Sequence, residues 1–545
     1  MRTSDTGLPP RRRLRTFQAL ALTAALFSTA TIGSADVTLS ADGWTEITPS
    51  DDSLVVYVSS SLGDDANDGL SPEAPKRTIA QAKTLLRHQR PDWLLLRRGD
   101  VFEESIGWWV TAGRSADEPQ LIGAWGESGD RPLLLTGDDN GIVTFGGFGS
   151  PAHIDHVALI GLHFVADGYD GGDQRPMGVR WNQPSTDVLV EDCKFERYFT
   201  NVTFEPVGGR HADMALRRSV LVDAFTTTNS HSQGLYVFGV DGVLVEGNLF
   251  DHNGWLAEDP EGTRTMFRHQ AYLQFGNTDC VVVGNIFANA SSHGIQMRSG
   301  GLAEDNLFVR CSLALLMRGA QEPVPQPASA RRNVVLDGTD ILESLPRGHA
   351  ISFRDASGEI VGNVVANNRE GGSPVPIEVV AENAAIDEAR IEGNVISNWS
   401  GSVFLLGGAQ KLRAVSLVGN VVQNEITPDP LVHCRRRGSF ANIVSIGNRF
   451  HNTISPPTTW MRSIMTFQSL DEWLVAAGDT SSSGAFTSFP NADASVRSYQ
   501  AWIGADETTL DAFLQAARGQ SRASWRDELT AGAVNDYVRS SFGLN

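Results

Sequence analysis

The sequence predicts an all-β chain wound as a right-handed parallel β-helix solenoid. A helical cap is expected at its N-terminal end and an α-helical segment beyond its C-terminal end. Three observations carry that reading. A short phrase, apolar–x–Gly–Asn–apolar–Phe/Val, recurs with Asn248, Asn285, Asn306, Asn333, Asn363, Asn394, Asn420 and Asn448 at its fixed place. Three degenerate copies precede these, with Leu162, Cys193 and Ser219 at the Asn position, and the steps average near 29 residues. Each period holds two or three short runs of β-formers broken by Gly, Asn and Ser, with no helical periodicity. That excludes helical repeats, and propeller blades need roughly 40–50 residues. Stacked coils instead let aliphatic side chains pile up inside while Asn amides hydrogen-bond along one turn.

The elements follow in chain order. Residues 1–35 read as an export signal: Arg11, Arg12, Arg13 and Arg15 form a basic stretch, Phe17 to Ile32 is apolar, and Gly33-Ser34-Ala35 offers a small-residue cleavage site. The predicted destination is the periplasm or the extracellular space. Residues 36–149 form an entry and cap region, in which Ile79, Ala82, Leu85 and Leu86 have helical spacing. Solenoids need such caps, because an open coil end exposes core and strand edges. Residues 150–455 carry the coils. After Ser455-Pro456-Pro457 the pattern turns helical at Leu470–Ala477, Thr508–Arg518 and Ser524–Phe542, giving a C-terminal helical segment over 456–545.

Composition narrows the function. The 545 residues carry a net charge of −20, and removing residues 1–35 leaves −24. A nucleic-acid partner is excluded, since phosphate contact needs a basic surface. No apolar run outside the N-terminus approaches membrane-spanning length, so the mature chain is expected to have no transmembrane segment and to act as a monomer. Cys193, Cys280, Cys311 and Cys434 are too few for a disulfide scaffold and show no zinc spacing, so they are expected to be buried free thiols.

With its repeat, and with Tyr57-Val58-Ser59, Gly63-Asp64-Asp65-Ala66-Asn67-Asp68-Gly69 and Pro75 to Ala82, the chain resembles the secreted right-handed parallel β-helix proteins of the pectate-lyase-like superfamily. The likeness covers roughly residues 55–452. It implies the fold and leaves the activity open among lyases, hydrolases, epimerases and adhesins. Calcium is a possible cofactor of such proteins. Residues 63–69 do not supply its ligand pattern, because Ala66 stands at the third position and no Glu at the twelfth, and no metal ligand is assigned.

Chemistry on a solenoid must sit on an outer face. Aligning the strands before each Asn places Arg298, Arg318 and Arg354 outward in one column on three successive coils. Neighbours in such a column are about 4.8 Å apart. Like charges so close call for an anion, and Arg matches a carboxylate bidentately. Pairing with Asp355, Glu378 or Glu382 is the alternative. In the same alignment Tyr236 points outward, Tyr272 and Gln274 inward, and Leu273 and Phe275 outward. His231, His269, His293 and His349 gather just before their strands, and the longest step in the repeat inserts a loop, Gly254–Phe267, beside His269. That loop carries Trp255, suited to stacking on a sugar ring, with Arg268 just beyond it.

These residues fit β-elimination of a uronate-containing polysaccharide, which needs a cation on the carboxylate, a base for the C5 proton and a donor for the leaving oxygen. The expected catalytic set is His269, His293, Arg298 and Tyr236. Arg318, Arg354, Arg268, Trp255 and His231 are expected to bind the acidic polysaccharide. His293 to Arg298 with Ser299-Gly300-Gly301 resembles the Arg-bearing coil of alginate- and chondroitin-lyase β-helices, although Tyr272-Leu273-Gln274 stands where that group has its base Lys. The alternatives are a glycoside hydrolase on the same fold, using two of Asp251, Glu378 and Glu382, and a non-catalytic glycan-binding surface protein.

Overall fold

A computed structural model describes residues 37–144, 151–318, 326–368, 375–382, 384–435 and 442–544. The expected export signal lies outside the described residues. Among them, three long sheets of 14, 13 and 14 strands run along one solenoid. Each strand pairs with its counterpart one coil on. In the third sheet Gln233–Val237 pairs with His269–Leu273, then come His293–Met297, Leu313–Met317 and His349–Phe353, all parallel. Among the described strands, antiparallel pairing is confined to the two ends, at Val37–Leu39 with Thr45–Ile47 and Met461–Ser463 with Thr466–Gln468. The chain is a parallel β-helix.

The repeat phrase explains what holds the coils in register. Asn248, Asn285, Asn306, Asn333, Asn363, Asn394, Asn420 and Asn448 form one unbroken ladder, each side-chain amide donating to the next Oδ1 at 2.9–3.0 Å. Upstream the ladder passes to Ser219, whose backbone N–H donates to Asn248 Oδ1 at 2.9 Å, and downstream it ends on Ser482. Inside, side chains at equivalent places stack at the strand spacing, as Phe250, Phe287 and Phe308 do with ring centroids 4.9 and 5.0 Å apart.

Asn363 bonds four ways within the ladder: it accepts from Asn333 N and Nδ2 and donates to Ala330 O and Asn394 Oδ1. Asn363→Ala leaves several buried groups unpaired at about 1–3 kcal/mol each. We expect a loss of about 3 kcal/mol in denaturant unfolding. An unchanged midpoint would separate the ladder from stability.

The solenoid starts earlier than residue 150. Val55–Val58 pairs with Trp93–Arg97, which pairs with Gln120–Trp125. Much of the expected entry region is therefore coil. These coils bury Leu94, Leu96 and Ile122 without the Asn phrase, so the repeat could not reveal them. The cap helix is short, Ile79–Lys83, with Thr78 as N-cap and Ile79 and Ala82 buried beside the first strand. At the other end Leu470–Ala477 closes the core with Leu470 and Trp473.

Three further helices, Val496–Trp502, Leu510–Arg518 and Ala531–Ser541, lie on the outer face of the 13-stranded sheet. Phe513, Val534 and Val538 pack there over Leu249, Ile286, Leu307 and Val334. Arg518 fastens them by bonding Asp223 at 2.8 Å and the buried Asp251 at 2.6 Å. Asp251 thus anchors this segment and does not line the large cleft over the third sheet. The first of the three helices was not legible in the sequence. The four cysteines are buried and form no disulfide with one another. With one outer face covered by helices, the third sheet is left to form a cleft.

Candidate active site

A cleft of about 1050 Å³ runs over the third sheet, along coils from Met177–Trp181 to Val432–Cys434. Six arginines border it, Arg175, Arg298, Arg318, Arg347, Arg354 and Arg435, against two acids, Glu205 and Glu378. A locally cationic groove has formed on a chain of net charge −20.

Two columns shape it. The first follows the position just after each strand. Glu205, Phe238, Gln274, Arg298, Arg318 and Arg354 each donate a backbone N–H to the preceding coil, at 2.8–3.1 Å. The second lies two residues earlier, where Tyr236, Tyr272, Gln296, Leu316 and Ser352 are in register. The expected alternation was therefore one residue out on a single coil: Tyr272 and Gln274 face the cleft and Leu273 is core. The pairing sets Ala271 opposite Leu235 and Tyr272 opposite Tyr236, and a one-residue slip turns every side chain over.

Arg298 donates to the Tyr272 hydroxyl at 3.0 Å and lies over the Phe275 ring at 5.4 Å. Tyr272 stands edge-on to His269 at 5.1 Å between centroids, and to Tyr236 at 5.7 Å. Burial, then the nearby Glu205 charge and Tyr272, push the Tyr236 phenol up to about 12, which keeps it protonated. His269 and His293 touch through their Nδ1 atoms at 3.0 Å. Burial pushes His293 down to about 3, helped by repulsion from Arg354 and His349. Burial also takes His269 well below the ordinary imidazole range, helped by His293 and His231. Both rings border the cleft as neutral groups at pH 7. His231 sits at the rim, its Nδ1 donating to Phe267 O at 3.1 Å.

Two expected binding residues, Arg268 and Trp255, are corrected. Arg268 is buried and donates to the carbonyls of Thr226, Thr228, Ser230 and Thr263, so it ties down the inserted loop and leaves the cleft to others. Trp255 lies away from the cleft. Its Nε1 donates to Asn289 O at 2.9 Å, and Arg264 covers its ring at 4.9 Å. Met266 and Phe267 are the residues this loop contributes to the wall. Arg354 borders the cleft, but its charge is met by Glu378 at 2.6 Å and Glu382 at 3.2 Å. Arg318 shares Glu382, at 3.1 Å. Burial would raise the Glu378 carboxyl, but His349, Arg354 and Ser352 outweigh it and hold it ionised, well below its usual range.

Glu205, Arg347 and Arg435 are cleft residues that the sequence did not yield. Glu205 belongs to the Arg column, three coils before Arg298. Its coil leads into Ser219 instead of Asn, so the strand alignment stopped short of it. Among the described residues no group of three His, Cys, Asp or Glu side chains is placed to hold a metal ion. No described helix is long and apolar enough to cross a membrane.

No family model matches the chain. A lacto-N-biosidase of Bifidobacterium longum is 32% identical over 148 residues, which is 27% of this chain and 8% of that protein. The chain thus spans under a tenth of the length of the curated relative it matches. Among solved structures, a lacto-N-biosidase from Eubacterium ramulus aligns over 75% of this chain and 65% of its own, at 13% identity and a TM-score of 0.30. The tailspike protein of bacteriophage HK620 aligns over 68% and 71%, at 12% identity and 0.39. A rhamnogalacturonan lyase aligns over 85% and 98%, at 12% identity and 0.27. The biosidases and the lyase among these similar proteins are carbohydrate-active enzymes.

Proposed function

We propose that this chain is an exported carbohydrate-active enzyme that cleaves a uronate-containing polysaccharide by β-elimination. The observation that carries the proposal is the grouping of Arg298, Tyr272 and the His269–His293 pair within one cationic cleft. Arg298 and Arg318 receive the uronate carboxylate. Neutralising it stabilises the carbanion-like charge that develops when C5 loses its proton. One imidazole of the pair takes that proton. A buried neutral imidazole is a weak base, but the incoming carboxylate brings a negative charge that raises its pKa toward neutral. Tyr236, which burial keeps protonated, or its column neighbour Tyr272 supplies a proton to the leaving oxygen.

A paired-carboxylate hydrolase fits this cleft less well. Glu205 and Glu378 stand six strand steps apart, about 29 Å at the usual strand spacing. Hydrolase carboxyl groups stand roughly 5–9.5 Å apart. Glu378 is also held ionised by its partners, which removes it as an acid.

A panel of acidic polysaccharides, followed by ultraviolet absorbance and by reducing-end assay, tests the reading. Elimination gives the absorbance of an unsaturated uronate together with new reducing ends. Reducing ends without absorbance would assign a hydrolase, and binding without either would leave a glycan-binding module.

A further inference from the structure

Ser292 touches both imidazoles of the buried pair. Its Oγ lies 2.9 Å from His269 Nδ1 and 3.1 Å from His293 Nδ1, and it donates its single proton to Arg268 O at 2.7 Å. With that proton committed, the hydroxyl can only accept from the histidines. The two Nδ1 atoms are themselves 3.0 Å apart. If both carried hydrogen, two N–H groups would collide. If neither did, two lone pairs would face each other in a buried site, with Ser292 unable to donate to either. Protonating the pair to an imidazolium would bury a charge beside Arg354, His349 and His231.

We infer that Ser292 locks His269 and His293 into opposite neutral tautomers, so that the cleft is offered one Nε2 that accepts a proton and one Nε2–H that donates. One Nδ1–H is shared between Ser292 Oγ and the other Nδ1. The ring that carries it must then have a bare Nε2, and its partner must carry hydrogen there. Both rings line the cleft. Ser292 is a positioning residue, and the backbone carbonyl of Arg268 is what fixes its role. The tautomer lock stands on these contacts and on the cationic surroundings that disfavour an imidazolium. Its catalytic meaning, a base and a hydrogen-bond donor side by side, rests on the proposed elimination.

The test is ¹⁵N spectroscopy of the full chain with labelled histidine at pH 7, the pair assigned with His269→Gln and His293→Gln. One residue should show a protonated Nδ1 with a bare Nε2, and the other the reverse. The same tautomer at both, or an imidazolium at either, would overturn the inference. Ser292→Ala removes the acceptor that holds the shared Nδ1–H and should let the two rings exchange tautomers, lowering kcat on the order of 10²-fold at unchanged KM. Ser292→Thr, which keeps the hydroxyl, should preserve the fixed tautomers and the rate. Retention of the fixed tautomers in Ser292→Ala would remove Ser292 from the account. Opposed tautomers without formation of unsaturated uronate would instead leave the lock standing and sink the elimination reading.

Discussion

Arg298→Ala is expected to lower kcat/KM on an acidic polysaccharide on the order of 10³-fold, equivalent to about 4 kcal/mol of transition-state stabilisation. The size follows from where its charge acts. Arg298 stands in the cleft column and donates to Tyr272, so one guanidinium serves the substrate carboxylate and a neighbouring phenol together. Arg298→Lys should recover only part of the loss, because an ammonium cannot reproduce the bidentate fork or lie as a planar cation over Phe275. The fold should be indifferent, since the side chain lies outside the hydrophobic core. Thermal unfolding run beside the kinetics separates the two effects. Full activity in Arg298→Ala would move the active site elsewhere.

Acidification gives the second large effect. His211 and His293 are buried, and desolvation takes them down to about 4 and about 3. His211 keeps one hydrogen bond, to Trp181 O at 3.0 Å. An unfolded histidine titrates near 6.5. Between that value and the folded one, the unfolded chain binds more protons, so stability rises with pH and is lost as pH falls from about 6.5. Each of the two costs roughly 2 kcal/mol of stability at pH 5. His269, also depressed by burial, acts in the same direction. Carboxylates such as Glu196, held down to about 2, contribute only at lower pH, whereas Glu191 and Asp251, raised by burial, act in the opposite direction, so the histidine share is read from the difference that His211→Gln makes. Denaturant unfolding at pH 7 and pH 5, with His211→Gln as control, measures this. The same pH dependence in both proteins would mean that the His211 ring is hydrated or already charged.

The fold was legible because its signal is repeated. Eight Asn at one place in the coil are a ladder that one-dimensional spacing can show, and the solenoid follows from it. The coils before residue 150 build the same core without the phrase, so their membership depends on pairing that no local pattern records. At the site, the Arg column was readable because it shares the coil period. Tyr272 was lost to a register slip of one residue. His269 and Tyr272 both border the cleft although strict alternation over three residues would part them. The fates of Arg268 and Arg354 depended on what lay opposite: four carbonyls for one, Glu378 and Glu382 for the other. A charged side chain in sequence does not show whether its partner is protein or ligand.

Mass spectrometry of the fragments released from a uronate-containing polysaccharide tests the central claim most directly. Elimination predicts that every fragment with a new non-reducing end is one water lighter than its hydrolysis counterpart and carries the unsaturation there, and that these fragments are absent with Arg298→Ala. Saturated fragments of full hydrolytic mass, or an intact polymer across every acidic polysaccharide tried, would contradict it.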